Sequence, residues 1–288
     1  MNVIPESELI LNADGSIYHL GLLPQQLADI VLTVGDPDRV PRISKYFDKI
    51  EVEIKRREFV IHTGYYKNTR LTVLSTGMGT DNIDIVMNEL DAVANIDLAN
   101  RRVKEEFRKL SIIRIGTSGA LQANVPLGAH LASAGVFGLD ALMQSYQYQP
   151  QESEINYCRD LKAHMQLNFL PYFAPASEGL LRHFAQELMQ GVTATCAGFY
   201  GPQGRVLRLR PANPDFVKQL ASFRSGDIKI TNFEMETAGY YALGRLLGHD
   251  VLSLNAIVAN RITGEFAVNA NEVVENLIVK VLEKAASL

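Results

Sequence analysis

The chain predicts a single-domain three-layer α/β/α sandwich: a central mixed sheet with helices on both faces. Three observations predict it. Short apolar runs alternate with helical patterns from Asp29 to the C-terminus, the order expected when strands share one sheet and helices pack over it. The clearest helical stretch puts Ile83, Val86, Leu90 and Val93 on one face, as a helix lying on a sheet requires. No Gly-, Pro- and Ser-rich linker, low-complexity tract or long-period repeat divides the chain. Residues 17–288 therefore read as one domain. The polar residues 1–16, with Pro5 and Gly15, read as an arm outside the core.

Ile30-Val31-Leu32-Thr33-Val34 is a buried strand. It turns at Gly35 into a helix, with Asp36 as N-cap and Pro37 at the first helical position. Arg57–Tyr65 and Arg70–Ser75 form a hairpin around Lys67-Asn68. A helix spans Asn82 to Leu98, and Ser111–Ile115 is a strand ending at Gly116-Thr117-Ser118-Gly119. Gly128–Phe137 is the next strand, and residues 140–175 carry no clear pattern. Ser177 caps a helix reaching Gln190, Gly191–Ala197 is a strand, and Asn213–Phe223 is helical. Glu234–Leu247 is a helix stopped by Gly248. Val251–Ala259 is a long strand, and Val273–Leu288 is a closing helix.

Composition narrows the function. The 288 residues are 47% hydrophobic and 21% charged, enough for a large core and unlike a disordered chain. A net charge of -4 disfavours a bulk nucleic-acid binder. Cys158 and Cys196 are the only cysteines, too few for a disulfide framework or a zinc cluster and suited to a reducing cytoplasm. The first residues lack the basic start and apolar core of a signal peptide. No apolar run reaches the roughly 18 residues of a membrane span. No membrane or nucleic-acid partner and a cytoplasmic location are expected.

Ligands of such sheets collect at strand C-terminal ends, and five motifs fall at strand or helix boundaries. Gly35-Asp36-Pro37-Asp38-Arg39 offers backbone N–H groups and an arginine fork to an anion; it also reads as a capped turn with Arg39 paired to an aspartate. Arg114-Ile115-Gly116-Thr117-Ser118-Gly119 puts an arginine inside an apolar strand, where it needs an internal carboxylate or a bound anion. Gly77-Met78-Gly79-Thr80-Asp81-Asn82 imitates a dinucleotide fingerprint but lacks its third glycine, so it reads as a tight turn. In Asn232-Phe233-Glu234-Met235-Glu236-Thr237, carboxylates flank a methionine at a helix start. A carboxylate there accepts from adjacent sugar hydroxyls, and methionine makes an adaptable apolar floor. Phe199-Tyr200-Gly201-Pro202-Gln203-Gly204-Arg205 supplies a ring to stack on a base, a donor–acceptor amide and a donor-only guanidinium.

Together and in this order, these motifs resemble the nucleoside phosphorylase family, and the Phe-Tyr-x-x-Gln-x-Arg loop resembles its uridine branch. The resemblance runs from His19 to the C-terminal helix and implies the phosphorylase/hydrolase-like fold. It implies reversible phosphorolysis of uridine to uracil and ribose 1-phosphate, with inorganic phosphate as co-substrate and no required cofactor. Gly35, Arg39, Arg114 and Thr117 would hold phosphate, and Arg57 would reach it from a neighbouring subunit. His19 would cross the same interface to the ribose 5′-hydroxyl, with Met235 and Glu236 holding the ribose. Phe199, Gln203, Arg205, Ile257, Val258 and Arg261 would form the base site. Arg39, Arg114, Thr117 and Arg205 would carry the catalytic weight. Active sites shared between subunits imply a homo-oligomer, a dimer or a hexamer built as a trimer of dimers. Some members hold a structural K+ between subunits; Glu58 matches one of its ligands, and Asn82 replaces a serine ligand. Gly204 replaces an acidic residue of the base loop. Asn260 stands where purine-specific members carry the aspartate that protonates the purine.

Three other readings compete. A phosphorylase of the same family could take deoxyuridine, thymidine or a purine nucleoside. A non-catalytic nucleoside-binding protein would be expected to have lost the phosphate arginines. A serine hydrolase would use Ser118 with Asp227 and His249, although His249, just past a helix end, reads as a surface or capping residue.

Overall fold

In the computed structural model, which describes residues 3–288, strands and helices alternate as expected. The strands are β1 (Ile30–Val34), β2 (Lys49–Arg56), β3 (Phe59–Tyr66), β4 (Thr69–Ser75), β5 (Ile96–Asp97), β6 (Arg102–Val103) and β7 (Ser111–Ala120). They continue as β8 (His130–Leu139), β9 (Tyr172–Pro175), β10 (Met189–Cys196), β11 (Arg224–Ser225), β12 (Ile228–Glu234), β13 (Asp250–Asn260) and β14 (Glu265–Phe266). The helices are α1 (Arg39–Ser44), α2 (Thr80–Asn95), α3 (Glu152–Met165), α4 (Glu178–Phe184), α5 (Phe216–Ser222), α6 (Thr237–Leu247) and α7 (Ala270–Ala285).

The central sheet is mixed and runs β11-β12-β10-β8-β13-β7-β1-β4-β3-β2. Its middle is parallel: β1 pairs with β4 and β7, and β7 pairs with β13. The sheet curls at one end. β12 pairs parallel with β10 and also antiparallel with β7, Phe233 opposite Gly119. That second pairing closes a ring through β7, β13, β8, β10 and β12.

Helices cover both faces. On one face α2 and α6 bury Ile83, Val86, Leu90, Val93, Tyr240 and Leu243 in a common apolar cluster. On the other, α1, α4 and α7 bury Val40, Ile43, Leu180, Phe184, Leu277 and Val281 against β1, β4 and β13. A third cluster, around Phe137, Leu161, Phe173 and Phe223, seats α3 and α5 on the curled end. Each fully buried side chain of this size contributes roughly 1.5–3 kcal/mol.

Several boundaries differ from expectation. The strand from Ser111 does not stop at Ile115; it runs through Gly116-Thr117-Ser118-Gly119 because β13 and then β12 supply pairing partners. The stretch before Met235 is strand β12, so the helix begins at Thr237. Gly248 ends that helix in the left-handed region, as expected. Helix α1 begins at Arg39, because the Asp36 carboxylate accepts the Asp38 N–H and makes a turn first. The helix from Ser177 ends at Phe184, and β10 already begins at Met189. The pattern-free residues 140–175 hold α3 and β9. Strand β2, which the hairpin reading omits, pairs along β3.

The expected arm is not outside the core. Leu9 is buried in the first cluster, and Ile4 and Leu11 pack on it. The Ile4 N–H donates to the Arg101 carbonyl. Met1 and Asn2 lie outside the described residues. Among the described residues no helix is long and apolar enough to cross a membrane.

Tyr241 ties α6 to the sheet. Its hydroxyl donates to the Ser133 carbonyl at 2.6 Å and accepts the Ser253 N–H at 2.9 Å. Tyr241→Phe leaves both buried backbone groups unpaired, a loss of about 1–3 kcal/mol. The expected outcome is a lower urea-unfolding midpoint at unchanged secondary structure; an unchanged midpoint would show that these bonds do not hold the layers.

Candidate active site

The C-terminal ends of β1, β4, β7 and β13 meet the turn after β12 and the loop after β10 around one cleft of about 590 Å³. Gly35, Arg39, Glu58, Arg114, Thr117, Phe199, Gln203, Arg205, Met235, Glu236 and Val258 line it together. Residues from six separate stretches of sequence thus share one cleft.

Arg114 forms the centre. It is 5% exposed. Its Nη2 donates to Glu236 Oε2 at 2.5 Å and lies 3.1 Å from Glu234 Oε2. Its Nη1 donates to Ser253 Oγ at 3.3 Å and Asn255 Oδ1 at 3.2 Å. The internal-carboxylate reading of Arg114 is therefore realised, and its Nε is left without a protein partner among the described residues. Burial works against the Arg114 charge, but Glu234 and Glu236 outweigh it and hold the guanidinium above its ordinary pKa. Burial also raises the Glu236 carboxyl; Arg114 pulls it down, and Glu234 pushes it further up. Two carboxylates share one guanidinium, so the cluster keeps a negative excess.

Glu234 has a second task. Its carboxylate accepts the Glu236 N–H at 3.0 Å and the Thr237 N–H at 3.0 Å, capping α6. Glu236 also accepts the Gly79 N–H at 2.8 Å, which ties the Gly77–Asn82 turn to the site. The turn reading of that motif holds. Gly116 is required by this arrangement: a Cβ there would lie 1.8 Å from Arg114 Nη1.

Arg39 is less engaged. Its Nη1 donates to the Ile115 carbonyl at 3.1 Å, and its Nε is buried with no partner. The aspartate pairing expected for a plain capped turn is not made. Burial holds its pKa below the ordinary arginine value, against Asp36 and together with Arg114. Thr117 is the half-buried residue of an otherwise buried strand end, and it faces the same space.

The loop after β10 forms the other wall. Arg205 Nη1 donates to the Phe199 carbonyl at 2.6 Å and to Gln203 Oε1 at 2.5 Å. The guanidinium lies 3.6 Å from the centre of the Phe199 ring. Phe199 is thus already stacked on an arginine. Desolvation, with Arg261 adding to it, brings the Arg205 pKa down to about 10. Arg261 stands behind this wall, donating to the Gln203 carbonyl at 3.1 Å and lying over the Phe233 ring. Val258 lines the cleft, but Ile257 does not. Its side chain is fully buried with Ala120, Val125 and Leu131, because successive residues of a strand face opposite sides.

Asn260 is also turned away. Its Nδ2 donates to the carbonyls of Gln122 and Val125, and its Oδ1 accepts the N–H groups of Ile262 and Thr263.

His19 and Arg57 do not line the cleft of their own chain. They lie close to each other instead: the Arg57 guanidinium is 5.8 Å from the Tyr18 ring centre, and that ring stands edge-on to His19 at 4.7 Å. Glu58 is on the cleft edge. Glu58 and Asn82 converge at Gly77, where a Cβ would meet both side chains.

Ser118 and His249 do not come together as a hydrolase triad would need. Ser118 accepts a hydrogen bond from Asn232 within β7. His249 is buried, not on the surface, and its ring stacks on Phe107. It lies at the far end of the β7–β13 pair, about 26 Å from Ser118 by strand rise.

The motif reading misses Ser253 and Asn255, which hold Arg114. The signal is present in β13: two polar residues, two apart, interrupt an apolar run and so share one face. Beneath them Ser133, Thr193, Asn232 and Ser118 continue a buried hydrogen-bond chain back to the cleft.

Residues 29–287 match the family model described as the Phosphorylase superfamily. A uridine phosphorylase of Thermococcus kodakarensis is 31% identical, over 88% of this chain and 80% of that protein. A purine nucleoside phosphorylase of a Thermoanaerobacter species is 28% identical, over 86% of this chain and 89% of its own length. Among solved structures, a Trypanosoma brucei nucleoside phosphorylase that shows uridine phosphorylase activity superposes with a TM-score of 0.87. It is 28% identical, over 97% of this chain and 99% of the other.

Gly116→Ala tests the centre. The added methyl displaces the Arg114 guanidinium from its two carboxylates, and breaking such a buried pair costs about 3–5 kcal/mol. A clear fall in the unfolding midpoint is expected; a variant as stable as the parent would mean that the arginine moves freely.

Proposed function

The chain belongs to the phosphorylase superfamily, and we propose that it is a pyrimidine nucleoside phosphorylase that cleaves uridine reversibly to uracil and ribose 1-phosphate. The observation that carries this reading is the set of groups that share one cleft. Arg39, Arg114 and Thr117, the pair Met235 and Glu236, and the Gln203–Arg205 loop all line it.

In this reading phosphate sits against Gly35, Arg39, Arg114 and Thr117, which line the cleft together. Arg57 comes from a neighbouring copy. Glu236 accepts from the ribose 2′- and 3′-hydroxyls, and Met235 floors the sugar. A phosphate oxygen forms the bond to C1′ as the bond from C1′ to the ring nitrogen breaks. The sugar passes through an oxocarbenium-like state that the phosphate charge stabilises. The electron pair leaves on uracil, where Arg205 and Gln203 donate hydrogen bonds. Catalysis is chiefly positioning and charge stabilisation.

The base wall favours a pyrimidine over a purine. Phe199, Gln203, Arg205 and Val258 offer no carboxylic acid to protonate a purine ring. Asn260 has both its amide groups spent on backbone. The wall does not separate uridine from deoxyuridine or thymidine. The placement of His19 and Arg57 outside their own cleft supports a homo-oligomer with shared sites. Glu58 and Asn82 would supply the hard oxygen ligands a K+ takes at the subunit junction.

The test is uridine consumption with and without inorganic phosphate, with assay of ribose 1-phosphate. Release of uracil only with phosphate is expected; release without it would make the enzyme a hydrolase. Arg205→Ala is expected to lower kcat/KM for uridine about 100-fold or more, the scale of one lost transition-state donor. Its thermal stability should change little, and an unchanged rate would remove Arg205 from the mechanism.

A further inference from the structure

We propose that Glu89 is a positioning residue that fixes the tautomer of His19, so that the imidazole presents a bare Nε2 to the ribose 5′-hydroxyl of a neighbouring copy's site. This rests on the reading that His19 acts across a subunit interface.

The geometry is local and one-sided. Glu89 Oε1 lies 2.6 Å from His19 Nδ1. The same carboxylate accepts the His19 N–H at 3.0 Å and the Leu20 N–H at 2.8 Å. A carboxylate can only accept, so the shared proton sits on His19 Nδ1. In the neutral ring the other nitrogen is then an acceptor. The Tyr18 ring, edge-on at 4.7 Å, limits the turning of the imidazole. The His19 side chain keeps 25% of its surface exposed while Glu89 keeps 12%. The carboxylate is thus the inner anchor and the imidazole the outward tool. Nε2 makes no bond within the chain among the described residues. A primary hydroxyl, which has one proton to donate, fits it. Glu89 stands on α2, whose apolar face is locked in the core, so the anchor is rigid.

Glu89→Gln is the informative change. The amide oxygen keeps the two backbone donors, and the amide NH2 faces His19 Nδ1. The imidazole proton must then move to Nε2. Three readouts test this. The 15N resonances of the His19 ring, identified by their loss in His19→Ala, should report a protonated Nδ1 in the parent and a protonated Nε2 in Glu89→Gln. The KM for uridine should rise about tenfold, the worth of one hydrogen bond, at nearly constant kcat. Kinetics with 5′-deoxyuridine, which lacks the hydroxyl, should be nearly unchanged.

His19→Ala should show the same discrimination, and Glu89→Gln should add nothing to it. A protonated Nε2 in the parent overturns the proposal, and that measurement stands even if Glu89→Gln fails to fold. Equal losses on both substrates overturn it too, since they mark a structural role. If His19→Ala discriminates and Glu89→Gln does not, only the role of Glu89 fails. If His19→Ala does not discriminate, the placement of His19 at the 5′-hydroxyl fails, and this proposal with it.

Discussion

The buried guanidinium of Arg114 is the constraint that organises the site. Taking an arginine and two carboxylates out of water is expensive, and only close pairing offsets it. Nearly everything around it serves that pairing. Ser253 and Asn255 on β13 take one end of the guanidinium. Gly116 is bare because any side chain atom there would collide with it. β12 runs antiparallel to the end of β7, which turns Glu234 and Glu236 back toward Arg114. The pairing that closes the curled end of the sheet is also the one that brings the charged centre together.

The pairing also divides labour between the two arginines. Arg114 spends both terminal nitrogens inside the protein; one of them aims Glu236 and draws its carboxyl down against the upward push of burial. Arg39 makes a single bond to a backbone carbonyl and has a buried nitrogen in reserve. Of the two arginines it is the less engaged with protein groups. At the opposite wall Arg205 holds the Gln203 oxygen, which leaves the amide nitrogen as the group turned outward. One guanidinium thus sets the polarity of a neighbour at each end of the cleft. Pre-set orientation of this kind is where such sites gain rate, since little remains to be reorganised when charge develops.

His19 and Arg57 show the limit of a single chain. Both lie off the cleft of their own chain, although Arg57 is the neighbour in sequence of the cleft-edge Glu58. Tyr18 links them into one surface patch.

The sequence by itself determined the alternation of strands and helices, the helix faces, the stop at Gly248 and the identity of most cleft residues. Those features are local: periodicity, a glycine in the left-handed region and short motifs are all written in neighbouring residues. Only the tertiary structure decided where strands end and what each charge meets. Gly116-Thr117-Ser118-Gly119 looks like a turn, and it is strand because β12 and β13 pair with it. The polar first residues look like a free arm, yet Leu9 finds a place in the core, with Ile4 and Leu11 packed on it. Ile257 and Val258 are adjacent and equally apolar, and strand alternation puts only one of them in the cleft. Arg114 announces a need for a partner in an apolar strand. Which partner answers depends on the register of strands more than 100 residues away, and register is a property of the assembled sheet.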